Sequence, residues 1–280
     1  MNIGIVGLGL IGGCLGIDFK ALGHRTYGVA RRSATGEEAI ALNIVDEAGT
    51  DLSLLAPCDV IFICTPIATI VPVVSQLASV LSPGVPITDV GSVKAAIVEA
   101  ATDCWPNFVG GHPMSGKSEA GLAVAEAHLF KGRPYVITPI HRTNLAAAEL
   151  VESLAAQLGS TLYRCTPEDH DRAVAWISHL PVMVSASLIK AALQEPDQQV
   201  LDLAQQLASS GFRDTSRVGG GNAELGLMMA QYNQAEVLRA LKRYRDEIDL
   251  TISQIERSDW PAIAQKLKTT NIGRSQFVSE

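Results

Sequence analysis

The chain has 280 residues, of which 47% are hydrophobic and 18% are charged, and its formal net charge is -7. This length predicts about two domains with buried cores, and the composition excludes an intrinsically disordered chain. The negative charge argues against a nucleic-acid or anionic-membrane binder but allows a local basic pocket for a small anion. We see no uninterrupted apolar run of roughly 18 residues and no signal-peptide pattern at the start, so we expect a cytoplasmic protein with no membrane partner.

The cysteines are the first candidates for structural chemistry. They are Cys14, Cys58, Cys64, Cys104 and Cys165. Their number is odd, their spacing is wide, and no CxxC pair occurs, so we expect neither a disulfide framework nor a metal site. We interpret them as small apolar residues of the core.

The first 165 residues alternate short apolar runs with helical patterns. The expected strands are 2–6, 25–30, 59–65, 85–89, 108–110, 135–138 and 161–165, and the clearest helices are 11–22 and 144–158. Continuously apolar strands that alternate with helices are typical of a parallel sheet covered on both faces. We therefore predict a doubly wound, Rossmann-like α/β domain over residues 1–165.

After residue 166 the strand-like runs stop and long helical patterns follow. The expected helices are 168–192, interrupted at Pro181, then 200–210, closed by Gly211, and 224–256. The last of these would carry a long apolar stripe that one small domain cannot easily cover. We therefore predict an all-α dimerisation domain over residues 166–280, through whose helices the chain forms a homodimer, with a monomeric bundle as the alternative.

A glycine-rich pattern follows the first expected strand and opens the first helix. It consists of Gly7, Leu8, Gly9, Leu10, Ile11 and Gly12. In this context G-x-G-x-x-G predicts a dinucleotide site, because glycines permit the tight turn and the close approach of pyrophosphate to the helix N-terminus. A glycine-rich turn without a ligand is the alternative. Later strand ends at the same edge are expected to touch the nicotinamide half, namely Cys64, Thr65, Pro66, Ile67, Gly91 and Ser92.

The end of the second strand indicates which dinucleotide is bound. A carboxylate at this position would bind the ribose 2′-hydroxyl of NAD. The sequence instead has Ala30 followed by Arg31, Arg32 and Ser33, which can accommodate a 2′-phosphate. We therefore predict NADP as the cofactor, with a solvated basic turn as the alternative.

The segment Gly110–Gly116, expected as a loop after the fifth strand, contains His112. A histidine between glycines at a strand end is poorly suited to a core and well suited to act as a base on a bound hydroxyl. Ser92, at the neighbouring strand end, could orient this imidazole or bind the same hydroxyl. A packing role for His112 is the alternative.

Several motifs in chain order resemble the prephenate/arogenate dehydrogenase family of tyrosine biosynthesis, and closest is its compact cyanobacterial type, which prefers arogenate and NADP. The matching segments are Gly7–Gly12, Cys64–Pro66, Asp89–Lys94, Gly110–Gly116, Ile177–Pro181 and Gly211–Arg217. The resemblance implies oxidation of a cyclohexadienol at its ring hydroxyl, hydride transfer to the nicotinamide and loss of the ring carboxylate as CO2.

The resemblance also implies roles for individual residues. His112 would be the base, and Ser92 would hold both this imidazole and the ring hydroxyl. Arg217 would bind a substrate carboxylate, and His179 would face the substrate from the helical domain. Lys117, where the chain departs from the family, would add positive charge at the rim. Two structural interpretations without a role in function stay open. Arg217 could pair with Asp214, and His179 could be an ordinary helix histidine.

One departure from the family concerns the residues after the histidine segment. Some prephenate-preferring relatives carry Thr-Glu there, whereas this chain has Lys117-Ser118. The acid that could gate the pocket in those relatives therefore has no counterpart at this position. No other residue visibly selects an amine over a keto side chain, so the arogenate expectation rests on the resemblance. Prephenate dehydrogenase is the first alternative.

Two further functions remain as alternatives. A β-hydroxyacid dehydrogenase or imine reductase shares the domain order, and the hydroxyacid type would use a catalytic lysine. Lys190 is the one lysine on the first helix after the domain boundary, and nothing beside it resembles a site. A redox sensor that binds NADP without turnover would need no base.

Overall fold

The computed structural model describes residues 1–117 and 119–278. Ser118, the second residue of the Lys117-Ser118 pair, lies outside the described residues. The chain divides into two compact units, Met1–Gln234 and Ala235–Glu280. The domain boundary predicted at 165/166 falls inside the first unit and stays a prediction.

Within the described residues, eight strands form one sheet in the order β3-β2-β1-β4-β5-β6-β7-β8. They are β1 (Asn2–Val6), β2 (Arg25–Val29), β3 (Glu47–Gly49), β4 (Val60–Ile63), β5 (Ile87–Asp89), β6 (Phe108–Pro113), β7 (Pro134–Thr138) and β8 (Thr161–Arg164). The described pairs are parallel except β6–β7, which is antiparallel. The order reverses between β1 and β4, which places a ligand crevice at their carboxyl ends.

In the described part of the chain, five α-helices connect the strands. They are α1 (Leu10–Ala21), α2 (Ser33–Ala41), α3 (Ile67–Leu77), α4 (Ala95–Cys104) and α5 (Leu145–Gln157). Apolar residues of the strands form one cluster with α3 and α4 and a second cluster with α1. Because central strands such as β4 are buried completely, their sequences are apolar throughout rather than alternating. The predicted doubly wound α/β fold is confirmed.

The rest of the described chain is helical, as predicted. The helices are α6 (Pro167–Val174), α7 (Leu180–Ala192), α8 (Gln198–Leu207), α9 (Ser210–Ser216), α10 (Ala223–Tyr232), α11 (Gln234–Glu256) and α12 (Trp260–Arg274). A π-helical turn, Ala175–His179, joins α6 to α7 directly before Pro181. Since proline offers no N–H to the preceding turn, the helix widens there instead of stopping.

Three local predictions were wrong. The expected helix 224–256 is two helices, because the side chain of Asn233 bonds to backbone and side-chain atoms of another helix and competes with helix continuation. Gly211 lies inside α9 rather than closing a helix. His112 lies within β6 rather than on a loop, because pairing with β7 extends the strand to Pro113.

The continuous helical stretch Pro167–Ala192 has 26 residues and, by length and composition, is the one described segment that could cross a membrane. The stretch contains no long uninterrupted apolar run, because polar residues divide it. Three of them, His170, Asp171 and His179, are buried and bond within the protein. One apolar helix of this kind is also found in the interiors of proteins that lie outside membranes.

Candidate active site

The turn after β1 has the geometry of a phosphate-binding glycine turn. Gly7 has φ +98°, and a Cβ there would lie 2.7 Å from the carbonyl oxygen of Cys64. A Cβ on Gly12 would lie 2.0 Å from the Gly7 oxygen, whereas a Cβ on Gly9 would meet nothing within 4 Å. Two glycines therefore allow the chain to pack, and the third leaves the backbone open on its outer side.

Gly9 is the N-cap of α1, and no side chain caps this helix. The first N–H groups of a helix lack intrahelical partners, and they carry the positive end of the helix dipole. An uncapped helix start beside an open glycine fits the pyrophosphate of a dinucleotide. The residues of the glycine motif would hold the pyrophosphate, and the two sides of the crevice would bind the two nucleosides of the dinucleotide.

The residues after β2 include no acid. Ala30 is buried, Arg31 and Arg32 are exposed, and Ser33 begins α2. Within residues 1–117 and 119–278, neither guanidinium has an ion-pair or hydrogen-bond partner. Both arginines are therefore available to an anion beside the start of α2.

Strand β6 carries His112 in a nearly buried position. Its Nδ1 lies 2.8 Å from Nε2 of His170, and Nδ1 of His170 lies 2.7 Å from Oδ1 of Asp171. A carboxylate only accepts, so His170 donates from Nδ1. In the form in which His170 carries only that proton, its Nε2 accepts from Nδ1 of His112. The relay therefore leaves the lone pair of His112 on Nε2, as a general base requires.

The surroundings of His112 keep its imidazole uncharged. Burial is the main cause that lowers its pKa well below the usual value, and positive charge on Lys94, or on His170 or His179 when either is protonated, acts in the same direction. A neutral imidazole with a free Nε2 can take a proton from a bound hydroxyl.

Asp171 also ties the helical half to the sheet. Its Oδ1 accepts from the backbone N–H of Lys94 at 2.8 Å, and its Oδ2 accepts from that of Ala95 at 2.9 Å. Both N–H groups belong to the start of α4, where a carboxylate is favoured by the helix dipole. One side chain therefore caps α4 and holds His170.

Lys94 and Asp89 form a fully buried ion pair beneath the site. The Lys94 ammonium also donates to the carbonyl of Gly111 at 2.7 Å, and Asp89 accepts from the N–H groups of Gly91 at 2.9 Å and Gly111 at 3.2 Å. This pair therefore fixes both the turn that carries Ser92 and the residue before His112.

Sequence reasoning missed His170 and Asp171 and assigned the orienting role to Ser92. The structure makes His170 the hydrogen-bond partner of His112, and the Ser92 hydroxyl makes no hydrogen bond within the described residues. A signal was present. The buried positions of α6 are Pro167, His170, Asp171 and Val174, spaced as one helix face. Two titratable residues on an otherwise apolar face indicate a functional network.

Four buried polar atoms lack a hydrogen-bond partner among the described residues and belong to this region. They are Thr65 Oγ1, Ser92 Oγ, Ser115 Oγ and His179 Nε2. The three hydroxyls follow β4, β5 and β6, which run parallel and end at one edge of the sheet. Since buried polar groups are normally paired, this cluster points to a ligand at that edge.

The remaining predicted residues near the nicotinamide lie on the same turns. Cys64 is half-buried and donates its N–H to Val6, and burial raises the pKa of its thiol. Pro66 is the N-cap of α3, and Ile67 is buried in its first turn. These residues have structural contacts in addition to any contact with a cofactor.

Two predicted substrate residues lie at the surface. The Lys117 ammonium pairs with Glu126 at 2.6 Å, so its charge is partly neutralised. Arg217 is exposed at the end of α9, and Asp214 pairs with Arg213 at 3.1 Å. Within the described residues no ion pair joins Arg217 to Asp214 and no hydrogen bond joins it to His112, so its role stays a prediction.

Comparison with known proteins agrees with this arrangement. Residues 15–164 match the family model of the prephenate dehydrogenase nucleotide-binding domain, and residues 166–269 match that of the prephenate dehydrogenase dimerization domain. The crystal structure of Synechocystis arogenate dehydrogenase is 51% identical, with a TM-score of 0.89 over 99% of this chain and 100% of that chain. Prephenate dehydrogenase of Bacillus subtilis is 29% identical over 272 residues, which are 95% of this chain and 73% of the relative.

A third comparison concerns the fold. Prephenate dehydrogenase from Aquifex aeolicus, in complex with hydroxyphenyl propionate and NAD+, has a TM-score of 0.94 at 24% identity, over 99% of this chain and 98% of that chain. Both family models are matched in order, and together they span nearly the whole sequence. The chain therefore belongs to the prephenate dehydrogenase family.

Proposed function

We propose that the protein catalyses the NADP-dependent oxidative decarboxylation of arogenate to tyrosine. The observation that carries the chemistry is the chain of hydrogen bonds from Asp171 through His170 to His112, which leaves Nε2 of His112 as a free base. The similarity to an arogenate dehydrogenase at 51% identity supports the substrate.

A bound nicotinamide would accept a hydride from the ring carbinol carbon. As that hydride leaves, the ring hydroxyl becomes acidic, and His112 Nε2 takes its proton. Aromatisation then makes loss of the ring carboxylate as CO2 favourable, so no further protein group is needed for that step. Ser92, whose hydroxyl lacks a protein partner among the described residues, would hold the substrate hydroxyl.

Substrate binding needs positive charge, because arogenate carries two carboxylates. Arg217 provides a guanidinium that Asp214 does not neutralise, since that carboxylate pairs with Arg213. Lys117 contributes less, because Glu126 holds its ammonium. We expect steady-state kinetics on arogenate and prephenate to give the higher kcat/KM for arogenate. A higher value for prephenate would support the alternative product, 4-hydroxyphenylpyruvate.

The preference for NADP rests on Arg31 and Arg32. We expect the Arg31→Ala and Arg32→Ala variants to raise the KM for NADP by roughly tenfold each, the effect of one charge-assisted contact, and to change the KM for NAD little. The test is kcat/KM with both cofactors. Preference for NAD in the wild-type protein, or an equal loss with both cofactors, would contradict this assignment.

Two alternatives fit less well. Lys190, the candidate for hydroxyacid chemistry, is exposed near the end of α7. A sensor without turnover would not need a base at the crevice. Turnover of 3-hydroxy acids or imines in place of arogenate and prephenate would favour the first alternative, and NADP binding without turnover of any of these would favour the second.

We also propose a homodimer, in the cytoplasm, formed through the helices that belong to the dimerization-domain family. The apolar stripe predicted along 224–256 is partly covered by its own chain, since Met228 and Tyr232 pack on the sheet core. Farther along, Ile248, Ile252 and Ile255 are exposed. In the first compact unit, an apolar groove of about 610 Å³ opens between α7, α8 and α9. Both surfaces are available to a second copy.

A further inference from the structure

We propose that Asn233 is a positioning residue that fixes His179 as the neutral tautomer with its proton on Nε2, so that His179 donates a hydrogen bond to a carboxylate oxygen of the substrate. The assignment of the tautomer stands on the structure alone. The identity of the acceptor rests on the proposed function.

The orientation of the Asn233 amide is set by a backbone carbonyl. Asn233 is buried at the break between α10 and α11, and its Nδ2 lies 2.8 Å from the carbonyl oxygen of Asp171. A carbonyl oxygen only accepts, so the NH2 group and not the amide oxygen must face it. The second hydrogen of the same NH2 group is then free to reach the next neighbour.

That neighbour is Nδ1 of His179, at 3.1 Å from Asn233 Nδ2. Because the amide nitrogen donates, Nδ1 must accept and carries no proton. A neutral imidazole with an unprotonated Nδ1 has its proton on Nε2. An imidazolium would direct a second N–H at the amide nitrogen, which offers no lone pair, so this contact disfavours the charged form.

The surroundings of His179 also keep it neutral. Its side chain is fully buried, and burial lowers its pKa to about 4; Asp171 opposes this shift, and His170 adds to it when it is protonated. The pKa of His112, the third imidazole of the cluster, is also lowered, mainly by burial, so this ring is uncharged as well. His179 is therefore a hydrogen-bond donor, not a cation, at neutral pH.

The Nε2 atom of His179 is buried and has no hydrogen-bond partner among the described residues. A buried donor left unpaired destabilises a protein, so a ligand that offers an acceptor is favoured there. A neutral N–H donor selects an oxygen acceptor over an ammonium group. The site thus has two neutral imidazoles of opposite polarity. His112 accepts a proton and His179 donates a hydrogen bond.

The tautomer can be measured without substrate. In protein labelled with 15N-histidine, long-range proton–nitrogen correlation spectra report which ring nitrogen carries the proton. We expect His179 to be protonated on Nε2 alone at neutral pH. In Asn233→Asp the new carboxylate can accept from Nδ1, so Nδ1 should become protonated. A wild-type ring protonated on Nδ1, or an Asn233→Asp ring unchanged from the wild type, would overturn the tautomer assignment.

The acceptor is tested by kinetics in two variants of His179 itself. His179→Gln keeps a side-chain N–H donor near the position of Nε2, whereas His179→Ala removes it. We expect His179→Ala to raise the KM for arogenate by roughly tenfold, to change the KM for NADP little, and to be substantially rescued in His179→Gln. Equal KM values in the two variants and the wild type would overturn the contact with substrate. If the protein turned over neither arogenate nor prephenate, the proposed function would fail, and the spectra would still decide the tautomer.

Discussion

The imidazole of His112 is held through one nitrogen and left free at the other. Its Nδ1 contacts His170, whose own Nδ1 is fixed by Asp171, and this order of donors directs the lone pair outward. A single histidine without such a partner would exchange between its tautomers. The relay therefore prepares His112 for its proposed role as a base before a substrate arrives.

The first prediction at this scale concerns the base. We expect His112→Ala to lower kcat by about 10²–10⁴-fold, because it removes the group that takes the proton, with little change in affinity for NADP. His170→Ala is the matched variant. It keeps the base but frees its tautomer, so its loss of kcat should be smaller. Near-normal turnover by His112→Ala would show that another group takes the proton.

The second prediction concerns stability. His179 has a pKa of about 4 in the fold and 6.5 in the unfolded chain. Between these values the unfolded state binds more protons, so stability falls as the pH is lowered through this window and is unaffected above it. From this residue alone, the free energy of unfolding should fall by about 2 kcal/mol between pH 7 and pH 5.

Urea denaturation at the two pH values measures this fall. His179→Gln is the control, because glutamine does not titrate. Its unfolding free energy should fall less between the same pH values, whatever its absolute stability. An identical fall in the variant and the wild type would show that His179 is not buried in its neutral form.

At the scale of elements, the glycines of the turn from β1 to α1 have different roles. Gly12 is needed for packing, and Gly9 is expected to be needed for binding. A Cβ on Gly12 would collide with the Gly7 oxygen, whereas a Cβ on Gly9 would enter open space. Gly9 has φ −99°, which any residue adopts. We expect Gly12→Ala to lower the free energy of unfolding by about 1–3 kcal/mol and Gly9→Ala by about 0.5–1 kcal/mol, the cost of alanine at an N-cap.

The binding result should differ from the stability result. We expect Gly9→Ala to bind NADP at least tenfold more weakly in titration calorimetry, because its methyl group occupies the space where a pyrophosphate approaches the helix N-terminus. Undiminished binding by a stable Gly9→Ala variant would mean that phosphates do not lie against this glycine.

The elements that were predicted correctly share a local signal. Strands such as β1 and β4 are buried on both faces, so their apolar runs are visible without any knowledge of their neighbours. The strand β3 has three half-buried residues and no such run, and it was missed. The end of β6 was missed for another reason. It is set by pairing with β7, which begins more than twenty residues later in the chain.

The candidate site divides in the same way. The glycine turn could be predicted because a short motif lies between a strand and a helix. The hydrogen bond between His112 and His170 joins residues 58 positions apart. The sequence around either histidine contains no pattern that predicts the other as its partner. The break at Asn233 likewise depends on contacts with Asp171 and His179. These features follow from tertiary contacts, which a pattern in one segment does not contain.

At the scale of the whole molecule, the exposed face of α11 leads to a prediction about assembly. Ile248, Ile252 and Ile255 share one helix face and are exposed. We expect Ile252→Lys to shift the proposed dimer towards monomer in sedimentation-velocity experiments, because it would bury a charge in the interface. Arg243→Glu, on the opposite face of α11, is the control and should leave the dimer intact. A wild-type monomer, or a dimer unaffected by Ile252→Lys, would exclude this face as the interface.

The carboxylate that caps α4 has a consequence for how such proteins can diverge. The strand histidine lies in the segment matched by one family model, while the second imidazole and the acid lie in the segment matched by the other. A recombination that replaced one segment by that of a distant dehydrogenase would combine His112 with a helix that lacks His170 and Asp171. The product would keep the glycine turn but lose the hydrogen-bond partner of the strand histidine, so we expect such an exchange to lower turnover unless both segments come from the same family.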